Sequence, residues 1–118
     1  MSDFQIYFNP NCSKCRTALN AIQNKGLDPN VVRYLEDPLT EETLRGIITI
    51  LSDPIDDLVR KDRNFEALGL NPDNYREEDS VVSLLLKHPE LMQRPVVVQN
   101  GQARIVRSQE RIDEVVSG

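Results

Sequence analysis

The stretch YFNPNCSKCR, Tyr7 to Arg16, runs from an apolar segment through a turn and then places the chain's only two cysteines three positions apart. Phe4 to Phe8 (FQIYF) alternates in part and is rich in aromatics, which is the pattern of a strand. Asn9-Pro10-Asn11 is turn chemistry, since proline fixes φ and asparagine side chains bond the local backbone. From about Ser13 to Lys25 the spacing predicts a helix, with Leu19 and Ile22 on one face and Gly26 as its stop. Cys12 therefore falls where a turn meets a helix N-terminus. A thiol of ordinary pKa, about 8.5, is mostly protonated at neutral pH, and only its thiolate attacks. The free N–H groups of the first helical turn stabilise such an anion. They also suit an oxyanion held beside the sulfur. Arg16, one turn on, is a candidate source of further positive charge.

Working outward, Val31 to Leu35 (VVRYL) reads as a second strand. Thr40 opens a helix with Glu41 and Glu42 in its first turn, where the helix dipole favours carboxylates. Leu44, Ile47, Ile48 and Leu51 form its apolar stripe, and Pro54 ends it. Short helical pieces are expected around Ile55–Lys61 and Phe65–Leu68, then a polar, turn-rich stretch from Asn71 to Asp79. A helix follows from Ser80 to Lys87, limited by Pro89. PVVVQNGQARIV is a β-hairpin signal, because Asn100-Gly101 sits between two β-branched runs. Ser108 can cap a closing helix carrying Ile112, Val115 and Val116 inward. The order is strand, helix, strand, several helices, hairpin, helix. It predicts an α/β fold whose first crossover joins a parallel pair.

The 118 residues read as one domain, 1–118, long enough to bury a core without covalent staples. A net charge of −5 argues against a general nucleic-acid binder, which shows a basic face. The apolar runs IITIL, VVSLLL and PVVV fall far short of the roughly 20 residues that span a bilayer, so no membrane partner is expected. MSDFQIYF lacks the basic start and long apolar stretch of a secretory signal, and a close C-x-x-C pair then reads as redox or metal chemistry in the cytoplasm.

The two cysteines divide these readings. Cys15, inside the helix, is either a buried small hydrophobe or a redox partner of Cys12. A zinc site needs two more ligands, and the single histidine, His88, lies far along the chain at a helix end, so no metal is expected. A phosphatase-type anion loop needs an arginine six positions after its cysteine. Ala18 and Ala21 occupy those positions and exclude it. Strand, turn, C-x-x-C and helix together resemble the active-site corner of thioredoxin-like folds.

With YFNPNCSKCRTAL, YLEDPLT, DDLVRKD followed by LGL, HPELMQRPVVV and NGQARIVRSQE in order, the chain resembles the arsenate reductase family that works with glutathione and glutaredoxin. The resemblance runs almost end to end. It implies a thioredoxin-like fold with a central helical insertion and a small mixed sheet, ending in a β-hairpin and a C-terminal helix. It implies that Cys12 attacks arsenate to form a thiol–arsenate adduct. Glutathione, a co-substrate rather than a bound cofactor, then displaces arsenite, and glutaredoxin resolves the mixed disulfide. The family's oxyanion-binding arginines fall on Arg60, Arg94 and Arg107. A planar guanidinium grips tetrahedral oxygens with parallel N–H bonds, and such cations also favour the thiolate. Arg94 precedes Pro95, a proline that is typically cis in thioredoxin-like folds.

Two positions depart from the family. Phe8 stands where many members carry a histidine thought to help activate the thiol, and it offers neither charge nor hydrogen bond. Cys15 stands where glutaredoxin-coupled members commonly lack a cysteine, which opens an internal Cys12–Cys15 disulfide with Cys15 as an auxiliary redox partner. A second class of function follows from the same pair. Thiol-responsive regulators of this superfamily bind RNA polymerase and carry C-x-x-C followed by arginine. A general dithiol reductase is the third reading.

Overall fold

The computed structural model describes residues 4–117. Strand β1 (Gln5–Tyr7) leads into helix α1 (Ser13–Asn24) and strand β2 (Asn30–Val32). Helices α2 (Glu41–Ile50), α3 (Arg63–Ala67) and α4 (Glu78–Lys87) follow, with 3₁₀ turns between and after them. Strands β3 (Val96–Gln99) and β4 (Gln102–Ile105) and helix α5 (Gln109–Ser117) close the chain. The four strands stand in the order β2-β1-β3-β4. β1 and β2 are parallel, while β3 runs antiparallel to both β1 and β4. This is the expected thioredoxin-like layout, with three helices inserted between β2 and β3.

Because strand side chains alternate faces, each central strand feeds two cores. Ile6 and Val97 point to the side covered by α1 and α5, where they pack with Phe8, Cys15, Ala18, Ile22, Ile112 and Val115. Tyr7, Val96 and Ala103 belong to the opposite core, filled by Leu44, Ile47 and Ile48 of α2 and Val81, Val82 and Leu85 of α4. The local signals behave as their chemistry dictates. Thr40 caps α2 by accepting from the Thr43 N–H at 3.1 Å, and Ser108 Oγ accepts from the Arg111 N–H at 3.2 Å. Asn100 and Gly101 turn the hairpin with φ of 54° and 76°, the double positive φ that an Asn-Gly turn supplies.

Three expectations are corrected. The second strand stops at Val32 rather than Leu35, because β1 offers no partner beyond Tyr7 once Asn9-Pro10 turns away. Residues 33–37 instead form a turn in which Glu36 and Asp37 N–H donate to the Arg33 carbonyl, and Tyr34 swings fully inside. Helix α3 begins two residues early, since Asp62 accepts from the N–H groups of Asn64 and Phe65. Leu51 leaves the α2 stripe and bridges to Ala103.

That last departure protects the sheet. Residues 51–53 cover the outer side of β4, an edge that would otherwise expose unpaired backbone. Ser52 N–H and Oγ both donate to the Ala103 carbonyl at 2.9 Å. Asp53 accepts from the Ile105 N–H at 3.0 Å and pairs with Arg111 of α5 at 2.6 Å. Asp53→Ala removes the acceptor from both. It is expected to cost about 1–3 kcal/mol, read as a lower urea midpoint at unchanged slope.

Candidate active site

The turn between β1 and α1 is built by its own asparagines. Asn9 is buried, its Oδ1 accepts from the Asn11 N–H at 3.0 Å, and its carbonyl accepts from the Cys12 N–H at 3.0 Å. Cys12 is thereby set as the N-cap of α1 in an extended conformation, with its carbonyl receiving the first helical bond from Arg16 N–H at 3.1 Å. Its side chain is partly exposed, whereas Cys15, one turn on, is wholly buried beside Ala18 and Ile22. Both cysteines are free.

The two thiols diverge in acidity. Burial pushes Cys12 up, but the Cys15 N–H, the Cys15 thiol, the Arg94 guanidinium and the Lys14 N–H together outweigh it and bring the value down to about 7. None of the backbone groups closes a full capping bond on the sulfur. Cys15 goes the other way, to about 12, chiefly through burial and then through the nearby Cys12 charge, against a lowering contact from the Asn9 N–H. At neutral pH Cys12 is therefore substantially thiolate, and Cys15 beside it is a neutral thiol.

Of the sequence candidates, Arg94 and Arg107 come together. The Arg94 guanidinium lies near enough to Cys12 to help lower its pKa, and its Nη1 donates to the Glu90 carbonyl at 3.1 Å. Arg107 Nη1 donates to the backbone carbonyl of Arg94, across the cis Arg94–Pro95 bond's leading residue. Arg107 also borders two clefts. One, of about 510 Å³, is lined by Asp57, Lys61, Gln93 and Arg111 among others. The other, of about 290 Å³, lies along the first turns of α1 beside Ser13, Lys14 and Thr17.

Arg60 joins the same neighbourhood through its backbone, which pairs with the chain leading to Arg94: Arg60 N–H donates to Leu91 O, and Gln93 N–H to Leu58 O. Its side chain is held by Asp62 at 3.0 Å. Arg16 turns back and donates to the Pro10 carbonyl at 2.8 Å, bracing the turn; the cation that acts on Cys12 is Arg94. Phe8 packs in the core under α1 and α5. His88 ends α4 and lies 3.3 Å from Glu90.

Sequence reading missed Tyr34. It lies close enough to Arg94, Cys15 and Cys12 for their charges to act on its phenol, which burial raises to about 12. Nothing in VVRYLEDP signals this, because the ring enters the core only when the strand stops short. Among the described residues no group of three or more His, Cys, Asp or Glu side chains is placed to hold a metal, and no helix is long and apolar enough to cross a membrane.

The chain is 40% identical to the uncharacterized protein YfgD of Escherichia coli over 95% of both chains. It is 35% identical to an arsenate reductase of Escherichia coli, over 98% of this chain and 82% of that one. Among solved structures, an arsenate reductase from Vibrio cholerae superposes with a TM-score of 0.82 at 34% identity, covering 95% of this chain and 96% of the other. The ArsC family profile matches residues 7–115, and the chain belongs to the ArsC family.

Proposed function

We propose that this protein is an arsenate reductase that uses Cys12 as its nucleophile. The observation that carries this reading is the partly exposed Cys12 thiol at the start of α1, brought to about 7 with the Arg94 guanidinium nearby. A tetrahedral oxyanion entering there meets the N–H groups of the first helical turn and the Arg94 guanidinium, with Arg107 anchored behind it. The Cys12 sulfur attacks arsenic, an As–S bond forms, and one arsenate oxygen leaves as water with the thiol proton. Glutathione sulfur then attacks the Cys12 sulfur. The As–S electron pair stays on arsenic, which leaves as arsenite, and the two sulfurs, each oxidised by one electron, form a mixed disulfide. Glutaredoxin takes the glutathionyl group and returns the Cys12 thiol. Arg60 completes the anion site by exchanging Asp62 for substrate. Catalysis takes place in the cytoplasm, where glutathione is reduced.

Cys15 serves chiefly as a hydrogen-bond donor to the Cys12 thiolate. A thiol at about 12 and without solvent access is a poor attacking group, so an internal Cys12–Cys15 disulfide is a protective side branch. Arsenate-dependent NADPH oxidation with glutathione, glutaredoxin and glutathione reductase tests the scheme. Turnover is expected to require arsenate, glutathione and glutaredoxin together. Turnover that persists without glutathione and glutaredoxin, on a dithiol reductant, would transfer the resolving role to Cys15. Absence of turnover with Cys12 reduced and reactive would overturn arsenate as the substrate.

A further inference from the structure

Two polar atoms at the thiol site are buried with no hydrogen-bond partner among the described residues, Tyr34 Oη and Arg94 Nε. Buried polar groups are nearly always paired, and an orphan calls for a reason. Tyr34 is 0% exposed and lines a small cleft with Pro89 and Met92, on the same stretch of chain whose Glu90 carbonyl receives Arg94. The guanidinium lies close enough to the hydroxyl to offset part of the rise that burial imposes on the phenol, yet the hydroxyl has no partner at hydrogen-bond geometry. A ring that only filled this core would be better without the hydroxyl, because phenylalanine has no polar atom to desolvate.

We propose that Tyr34 is a positioning residue of the thiol site: its buried hydroxyl accepts from the Arg94 guanidinium and holds that cation against Cys12 when the sulfur is negative or carries an anion. With the sulfur neutral, the guanidinium is held by the Glu90 carbonyl. A negative charge on Cys12 draws it forward, and the Tyr34 oxygen is the buried acceptor alongside. The hydroxyl remains protonated throughout and moves no proton. It acts on the reaction only through Arg94. The proposal rests on Cys12 being the reactive thiol and does not depend on arsenate being the substrate.

Tyr34→Phe removes the hydroxyl and keeps the ring. The iodoacetamide alkylation rate of Cys12, followed against pH without arsenate, should have its inflection near 7 in the wild-type protein. In Tyr34→Phe the inflection should move up by about half a pH unit or more. Where arsenate is turned over, its KM should rise about threefold or more with a smaller change in kcat. In an Arg94→Ala background the same substitution should change nothing further. Superimposable alkylation profiles, or a lower melting temperature without a profile shift, would overturn the proposal by leaving Tyr34 a packing residue. Should Tyr34→Phe not fold, the wild-type protein labelled with ¹³C at tyrosine Cζ provides the decision. The Tyr34 resonance should titrate with Cys12 and cease to do so in Arg94→Ala; a flat trace through neutral pH would overturn the proposal.

Discussion

Cys12→Ser is expected to reduce arsenate turnover to background, the largest effect any single substitution in this chain should have. The reason is electronic as well as kinetic. Reduction of arsenic needs an electron pair that is ultimately supplied by forming a sulfur–sulfur bond, and a serine oxygen can form an ester with arsenate but cannot form that bond. The serine hydroxyl also stays protonated where the Cys12 thiol, at about 7, is half ionised. No other group substitutes for it: Cys15 is fully buried and its thiol lies near 12. Iodoacetamide labelling at neutral pH provides the matching measurement. The wild-type protein should take up one label quickly, and Cys12→Ser none on that timescale. Rapid labelling of Cys12→Ser would mean that Cys15 is exposed and ionised. Retained turnover would remove Cys12 from the chemistry.

How much of this was readable in advance depends on the range of the interaction concerned. The Asn-Gly hairpin, the Thr40 cap and the Ser108 cap were legible, because each is fixed by residues within four positions of one another. The turn that places Cys12 was equally local, with the Asn9 side chain accepting from the Asn11 N–H across Pro10. What could not be read is set by partners far along the chain. The end of β2 depends on how far β1 extends, so Tyr34 looked like a strand residue. Arg16, adjacent in sequence, spends its guanidinium on Pro10, while Arg94, more than eighty positions away, is the cation that reaches the sulfur. Resemblance to a family pointed to Arg60, Arg94 and Arg107; composition and spacing alone could not have separated them from the other basic side chains. The opposite acidities of Cys12 and Cys15 were likewise hidden in C-x-x-C, since they follow from one sulfur lying at the helix mouth and the other beneath it.

Arg94→Ala should produce the second-largest loss, and its pH dependence separates the two jobs assigned to the residue. A charge-assisted hydrogen bond contributes about 1.5–3 kcal/mol, so losing one predicts a fall of about ten- to a hundredfold in kcat/KM for arsenate. Part of that fall comes from Cys12 itself. Burial raises the Cys12 thiol, and the N–H groups, Cys15 and Arg94 lower it to about 7; without Arg94 the balance moves upward. In the wild-type protein the thiolate fraction grows as pH rises through 7 and then levels off, so alkylation should follow the same curve. In Arg94→Ala the inflection should lie at higher pH. The deficit in alkylation is then greatest at neutral and lower pH and closes once both proteins are fully ionised. The deficit in arsenate kcat/KM should narrow over the same interval but persist on the alkaline side, because the guanidinium proposed to grip the oxyanion is still missing. If the arsenate deficit vanished where alkylation rates meet, Arg94 would serve the thiolate alone. If the alkylation curve did not move, it would serve the substrate alone. An unchanged response of both would place the oxyanion somewhere other than the mouth of α1.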